Sequence, residues 1–381
     1  MTIICGDCLE EMRKMEDNSI SAIVTDPPYG LGFMGKHWDA GLPHDDIWKE
    51  TLRICKPGAH LLAFGGTRTY HRLTCAIEDA GWEVRDCLMW VYGSGFPKSH
   101  NRFGIEGFGT ALKPAYEPII LAMKPCDGTF AQNAEKWGQA GINIDGVRIG
   151  IPEDKRAAGT RKYKAGTLAG GLNGEGELQQ ASHDGKGRWP ANVILDEESG
   201  KMLDEQSGIS KSADSINHET KVSGELYGWA KSRKYMRSTG HTDSGGASRF
   251  FYCAKASSSE RNAGLEWLPD VACQTGCGGA MPIDDEGNDR DRFKKICKNY
   301  HPTVKPLRLM EYLIKLVMPP KDGILLDPFA GSGTTILAAQ HLGFNAIGIE
   351  KQPEYCEIAR ARLQSHQEEV SPQMDLFEVC S

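Results

Sequence analysis

Residues 326–335 read Leu-Asp-Pro-Phe-Ala-Gly-Ser-Gly-Thr-Thr. The apolar run at 324–326 predicts a strand, and the apolar spacing over 334–342 predicts a helix, with Asp327, Pro328, Phe329, Ala330, Gly331, Ser332 and Gly333 forming the turn between them. Gly331 and Gly333 permit a tight turn and let a ligand approach the backbone closely. A further strand is expected at 345–349 and ends on Glu350. An acidic residue about 20 residues beyond such a turn is placed to take both hydroxyls of a ribose.

The rest of the chain falls into the same rhythm. Short apolar runs predict strands at 2–5, 20–25, 59–64, 84–92 and 117–123. Helical spacing appears at 8–15, 48–55, 70–80, 307–317 and 353–364. Strands alternating with helices indicate an α/β domain with a parallel sheet. The strands at 324–326 and 345–349 bring the count to seven, the strand at 117–123 being expected to run antiparallel. From 126 to 296 the periodicity weakens, and glycine, serine and charged residues dominate. Only 141–149, 189–195 and 249–254 are short apolar pieces there, so this stretch reads as an insertion with its own organisation. The expected division is therefore 1–125, an inserted 126–296, 297–364, and a tail at 365–381.

The turn lacks the Gly-Lys-Ser/Thr that cradles a triphosphate, and Thr334, Thr335 and Ile336 stand where a third glycine would complete a dinucleotide fingerprint. A ligand with one ribose and no pyrophosphate fits better, and S-adenosylmethionine has that shape. Among the 381 residues, 40% are hydrophobic and 25% charged, as in a globular protein. No apolar run is long enough to span a bilayer. The chain opens in strand-like sequence with no basic leader, and its 12 cysteines are scattered, so a cytoplasmic protein with reduced thiols is expected. The net charge is −7, with a pI of about 5.9, which is not the footprint of a strongly basic nucleic-acid binder. A local basic face is what matters, however, and 155–261 is richer in Lys and Arg. That stretch reads equally as a binding face or as a solvated surface.

The second decisive segment is Asp26-Pro27-Pro28-Tyr29, directly after the apolar run 20–25, and it resembles the motif of amino-methyltransferases, enzymes that methylate the exocyclic nitrogen of adenine or cytosine. An exocyclic amino group on a nucleobase is a poor nucleophile because its lone pair is delocalised into the ring. The Asp26 carboxylate and the Pro27 carbonyl can each accept one of its N–H bonds, which favours a pyramidal nitrogen. Two prolines stiffen the acceptors, and Tyr29 offers a face on which a base can stack. Reaching such a nitrogen in a duplex requires extruding the base.

Together with 326–335, this tetrapeptide resembles the amino-methyltransferases of DNA, and the catalytic-first order with a long insertion resembles their permuted beta class, found in restriction–modification systems and prophages. The resemblance covers about 1–125 and 297–362. It extends less securely to 90–99, 187–192 and 249–257, which look like stretches of prophage-type enzymes. It implies a Rossmann-like, circularly permuted sheet with a target-recognition insertion, S-adenosylmethionine as cofactor and double-stranded DNA as substrate. It also implies that Asp7 reads the cofactor's adenine and that His301, Thr303 and Lys305, in His-Pro-Thr-Val-Lys-Pro, contact its methionine part. Adenine N6 is the expected target. Cytosine N4 is the alternative, since those enzymes more often carry Ser at the Asp26 position. Protein or RNA methylation and a catalytically silent DNA-binding module are further alternatives. A cognate restriction enzyme is an open partner, as are the monomer and the homodimer. Cys5 and Cys8 form a C-x-x-C, and Cys273, Cys277, Cys297 and His301 have zinc-ligand residue types, but neither set has the spacing or context of a redox or metal site, and no metal is expected. Cys126 reads as a free thiol.

Overall fold

The computed structural model describes residues 1–32, 39, 41–95, 99, 104–150, 160–163, 176–179, 187–211, 244–254, 265, 271–274, 294–297, 299, 304–320 and 323–374. In chain order the principal elements are β1 (Thr2–Cys5), α1 (Cys8–Met12), β2 (Ile20–Thr25), α2 (Asp45–Ile54), β3 (Cys55–Phe64), α3 (Tyr70–Asp79), β4 (Glu83–Val91), β5 (Tyr116–Met123), α4 (Phe130–Trp137), β6 (Val193–Asp196), α5 (Glu197–Ser207), β7 (Tyr252–Ala254), α6 (Leu307–Val317), β8 (Ile324–Asp327), α7 (Thr334–His341), β9 (Asn345–Glu350) and α8 (Pro353–Met374).

Among the described residues the main sheet has nine strands in the order β1-β9-β8-β2-β3-β5-β4-β6-β7. The seven strands read from sequence take the first seven places. β1, β9, β8, β2 and β3 pair in parallel, and β5 runs antiparallel to both β3 and β4. The strand count of seven is too low: β6 adds in parallel to β4, with Met89 opposite Val193, and β7 follows it. Both overlap the apolar pieces 189–195 and 249–254, which the weak periodicity around them does not mark as members of the main sheet.

The central strands are buried on both faces, as parallel strands covered by helices must be. Every residue of β2 is buried. On one face, Met12, Ile47, Trp48, Leu73 and Ile77 from α1, α2 and α3 form a single core with Ile23, Leu61, Ile120 and Leu326. The intervening residues of those strands, among them Ala22, Leu62 and Leu325, are also fully buried and face the other way. The chain forms two compact units. The first comprises Met1–Val147, Asn192–Gly200 and Cys253–Ser381, and the second Arg148–Ala191 and Lys201–Tyr252. The helix α4, invisible in the sequence periodicity, belongs to the first. It starts on a reciprocal cap in which Thr129 and Gln132 bond each other's backbone N–H, and it ends at Gly138 in a left-handed conformation. α8 runs to Met374 rather than stopping at 364.

Lys56-Pro57-Gly58 reads as a helix-ending turn but lies inside β3. Ile20 pairs with Cys55 and Ala22 with His60, so three extra residues bulge out of the ladder. Gly58 turns the bulge at φ +76°. The wholly buried Asn133 of α4 latches it: Nδ2 donates to the carbonyls of Pro57 (2.9 Å) and Gln139 (2.6 Å), and Oδ1 accepts from Asp127 N (2.7 Å). A Cβ on Gly58 would lie 2.5 Å from that Nδ2. Gly104 has a similar φ of +78° in open space. Both alanine substitutions therefore incur the left-handed penalty of about 1–2 kcal/mol. Gly58→Ala is expected to cost a further ~1–3 kcal/mol through the displaced amide, a difference that urea denaturation of the two variants measures.

Candidate active site

Parallel α/β sheets leave a crevice at the carboxyl ends of their strands. Here a cavity of about 290 Å³ opens there, lined by Asp26 and Pro28 after β2, Asp327 to Ser332 after β8, Glu350 after β9 and Gly6 to Cys8 after β1. Thr334, Thr335 and Lys305 complete the predicted residues on its wall. Pro27 is buried, and Tyr29 and Gly333 support the wall from behind. His301 and Thr303 lie outside the described residues, as do Cys277 and the side chains of Cys273 and Cys297. Cys5, Cys8 and Cys126 are free thiols, and burial pushes Cys8 up to about 12.

The turn after β8 is held by its own carboxylate. Asp327 Oδ1 accepts from Thr25 Oγ1 (2.7 Å) and Phe329 N (3.1 Å), and Oδ2 accepts from Thr335 Oγ1 (2.5 Å). Burial pushes Asp327 up to about 6 in spite of these bonds. Gly331 and Gly333 adopt φ of +51° and +79°. A Cβ on Gly333 would come within 2.8 Å of Ala359 Cβ, so the glycine also lets α7 start hard against α8.

Glu350 is oriented by two backbone donors, Gln352 N to Oε1 (2.7 Å) and Gly331 N to Oε2 (2.9 Å). Burial raises its pKa. Asp7 caps α1 through Leu9 N (3.1 Å) and Glu10 N, and its other oxygen meets Lys351 Nζ at 3.1 Å. Burial works against its charge, but Lys351 and the backbone donors hold it below the usual carboxylate range. Carboxylates for sugar hydroxyls, a turn with exposed backbone and apolar walls from Ile47, Met310 and Tyr355 suit an adenosyl group carrying a cationic sulfur.

The tetrapeptide forms the other side. Asp26 Oδ1 accepts from the Tyr29 hydroxyl (2.7 Å), and Oδ2 from Lys305 Nζ (2.8 Å). Glu117, at the start of β5, completes the cluster: its Oε2 is 3.1 Å from both Tyr29 Oη and Lys305 Nζ. Lys305 Nζ also reaches Tyr29 Oη at 3.2 Å and lies over the Phe64 ring, 4.8 Å from its centroid. Burial opposes the charge on Lys305, but Asp26 and Glu117 outweigh it and the pKa rises. Burial raises the pKa of Asp26 and keeps Tyr29 firmly protonated. The backbone after the prolines is pinned by Asp39, which accepts from the N–H groups of Tyr29 (2.6 Å), Gly30 (2.9 Å) and Leu31 (3.2 Å), while Thr69 Oγ1 donates to Tyr29 O at 2.7 Å.

Glu117, Asp39, Thr25 and Thr69 escaped the sequence reading. Thr25 directly precedes the tetrapeptide, but its bond to Asp327, like the positions of Glu117, Asp39 and Thr69, comes only through the fold. The one available signal was Glu117 itself, a charge at the head of an apolar strand.

A family profile described as DNA methylase matches residues 20–361. The chain is 46% identical over 376 residues to the type II methyltransferase M.HpaI of Haemophilus parainfluenzae, spanning 95% of this chain and 74% of that protein. Among solved structures, PvuII DNA methyltransferase (cytosine-N4-specific) overlays with a TM-score of 0.47 and 15% identity, over 94% of this chain and 85% of that one. The M1.HpyAVI–SAM complex overlays with a TM-score of 0.39 and 17% identity, over 95% and 98% of the two chains. The matched segment runs from the first residue of β2 into α8 and takes in both walls of the cavity except β1 and the turn after it, and the chain belongs to the DNA methylase family.

Proposed function

We propose that this methylase transfers a methyl group from S-adenosylmethionine to the exocyclic N6 of adenine in double-stranded DNA, on a base rotated out of the helix. The observation that carries the reading is that Asp26 and Asp327 end adjacent parallel strands and line one cavity. The arrangement resembles the permuted beta class. Glu350 would hold the ribose, Asp7 the adenine and the 328–333 turn the rest of the cofactor, with His301 and Thr303 toward its methionine part. Bound there, S-adenosylmethionine would supply an electrophilic methyl group, its sulfur being the leaving group that keeps the C–S electron pair.

Asp26 orients that nitrogen. A carboxylate offers about four acceptor positions; Tyr29 and Lys305 occupy one on each oxygen, which leaves a place for an amino N–H. Cytosine N4 is the second reading, because its amino group presents the same two N–H bonds, one for Asp26 and one for the Pro27 carbonyl. We assign the inserted region, expected at 126–296, to target recognition. Within the second unit Arg148 lies over the Trp189 ring (5.2 Å) and Arg188 and Arg249 over that of Phe250 (5.0 and 4.2 Å), and Trp189 is 63% exposed. Exposed aromatics beside guanidinium groups suit stacking on bases and contacts to phosphates. Among the described residues no helix is long and apolar enough to cross a membrane. We place the reaction in the cytoplasm.

Three measurements test the reading. Mass spectrometry of nucleosides from DNA incubated with the protein and S-adenosylmethionine is expected to show N6-methyladenine; N4-methylcytosine would establish the second reading, and neither product would sink both. Asp26→Ala is expected to lower single-turnover methylation by at least ~10²–10³-fold while changing cofactor affinity by less than about tenfold. The Lys305–Glu117 pair persists in that variant, so no buried charge is left unpartnered. Trp189→Ala is expected to weaken DNA binding by about 1–3 kcal/mol, with calorimetric binding of S-adenosylmethionine unchanged.

A further inference from the structure

An amino nitrogen that gains a methyl group must lose a proton, and the site has to put that proton somewhere. Asp26 is the first acceptor, but it cannot keep the proton through turnover. Among the described residues, the geometry around it offers one way onward. The Tyr29 hydroxyl has a single hydrogen, yet its oxygen lies within bonding distance of two carboxylates, Asp26 Oδ1 at 2.7 Å and Glu117 Oε2 at 3.1 Å. It can serve only one of them at a time. Lys305 cannot be the acceptor. Its ammonium has three hydrogens and three oxygen partners, Asp26 Oδ2, Glu117 Oε2 and Tyr29 Oη, and it stays charged between the two carboxylates.

We propose that Glu117 is the terminal proton acceptor of methyl transfer, reached from Asp26 through the Tyr29 hydroxyl. The inference rests on the methyltransferase reading above. As the N–C bond forms, the nitrogen's N–H bond breaks and its proton goes to Asp26. Asp26 then donates to Tyr29 Oη while the hydroxyl turns and passes its own hydrogen to Glu117 Oε2. Asp26 and Tyr29 end as they began, and Glu117 carries one extra proton. The Glu117 side chain is the most exposed of the three charged members, at 24% against 18% for Asp26 and 9% for Lys305, which places the exit to water there. Among the described residues, the charged or titratable groups facing this path are Asp26, Tyr29, Lys305 and Tyr92, the last raised to about 12 by burial and by Glu117; Asp327 adds its charge from behind Asp26. Glu117 is a positioning and relay group, because it acts on the substrate nitrogen only through Tyr29 and Asp26.

The test is single-turnover methylation of DNA by the full chain as a function of pH, with Glu117→Gln, Glu117→Asp, Tyr29→Phe and the Gln/Phe double variant. Glu117→Gln is expected to lower the plateau about hundredfold with the KM for S-adenosylmethionine unchanged. It is also expected to move the acid limb to lower pH, because removing the Glu117 charge relieves Asp26, whose pKa that charge helps to raise. Glu117→Asp is expected to recover most of the plateau, and the double variant to be no slower than the slower single one. Unchanged plateau and acid limb in Glu117→Gln would overturn the relay. So would a fall that comes with a raised KM and an unmoved limb, or a double variant slower by the product of the single effects. Loss of the wild-type reaction itself would instead overturn the methyltransferase reading, so the two failures are distinguishable.

Discussion

A lysine ammonium with 9% of its side chain exposed is tolerable only where anions close around it, and Lys305 sits in such a place between Asp26 and Glu117. Desolvating an isolated ammonium costs several kcal/mol even after relaxation. The cluster therefore requires three segments far apart in the chain to meet: the end of β2, the start of β5 and the approach to α6. It also accounts for the direction of β5. In a strand parallel to the others, a residue near the beginning would lie at the far edge of the sheet. β5 runs antiparallel, with Ile119 opposite Phe64 and Glu117 opposite Trp90, so its opening residues arrive at the carboxyl edge where β2 and β8 end.

The same logic of neutralised burial organises the opposite wall. Asp327 is tied to β2 by the Thr25 hydroxyl and to α7 by that of Thr335, so one carboxylate fixes the strand, the turn and the following helix relative to one another. Glu350 takes Gly331 N and Gln352 N, which joins the turn after β8 to the end of β9. The two walls therefore form a single hydrogen-bonded structure across the β2–β8 neighbours. Preorganisation of this kind is what a site needs if its acceptors are not to move during reaction.

Much of this was legible in the chain because two segments combine a strand with a chemically specific turn. Asp26-Pro27-Pro28-Tyr29 and the 326–335 segment each follow an apolar run, and both reach the carboxyl edge of the sheet. What escaped was encoded weakly or at long range. The bulge at Gly58 looks like a turn because proline and glycine punctuate turns and bulges alike; Asn133, 75 residues on, makes it part of a strand. β6 and β7 overlap apolar pieces visible at 189–195 and 249–254, but only pairing at the sheet's edge makes them strands of it.

The sequence by itself determined the α/β alternation, the position of the glycine turn, the acidic residue after β9 and the tetrapeptide after β2, because periodicity and local turn chemistry are properties of neighbouring residues. Which side chains close on Asp26 is a different kind of fact. Lys305 was placed toward the cofactor by its motif, yet its ammonium is held by Asp26 and Glu117, and Asp39 and Thr69 pin the backbone around Tyr29 from unrelated segments. Those partners were decided only by the tertiary structure, since a buried charge is satisfied by whatever donor or acceptor the packing brings within about 3 Å, and sequence distance does not enter.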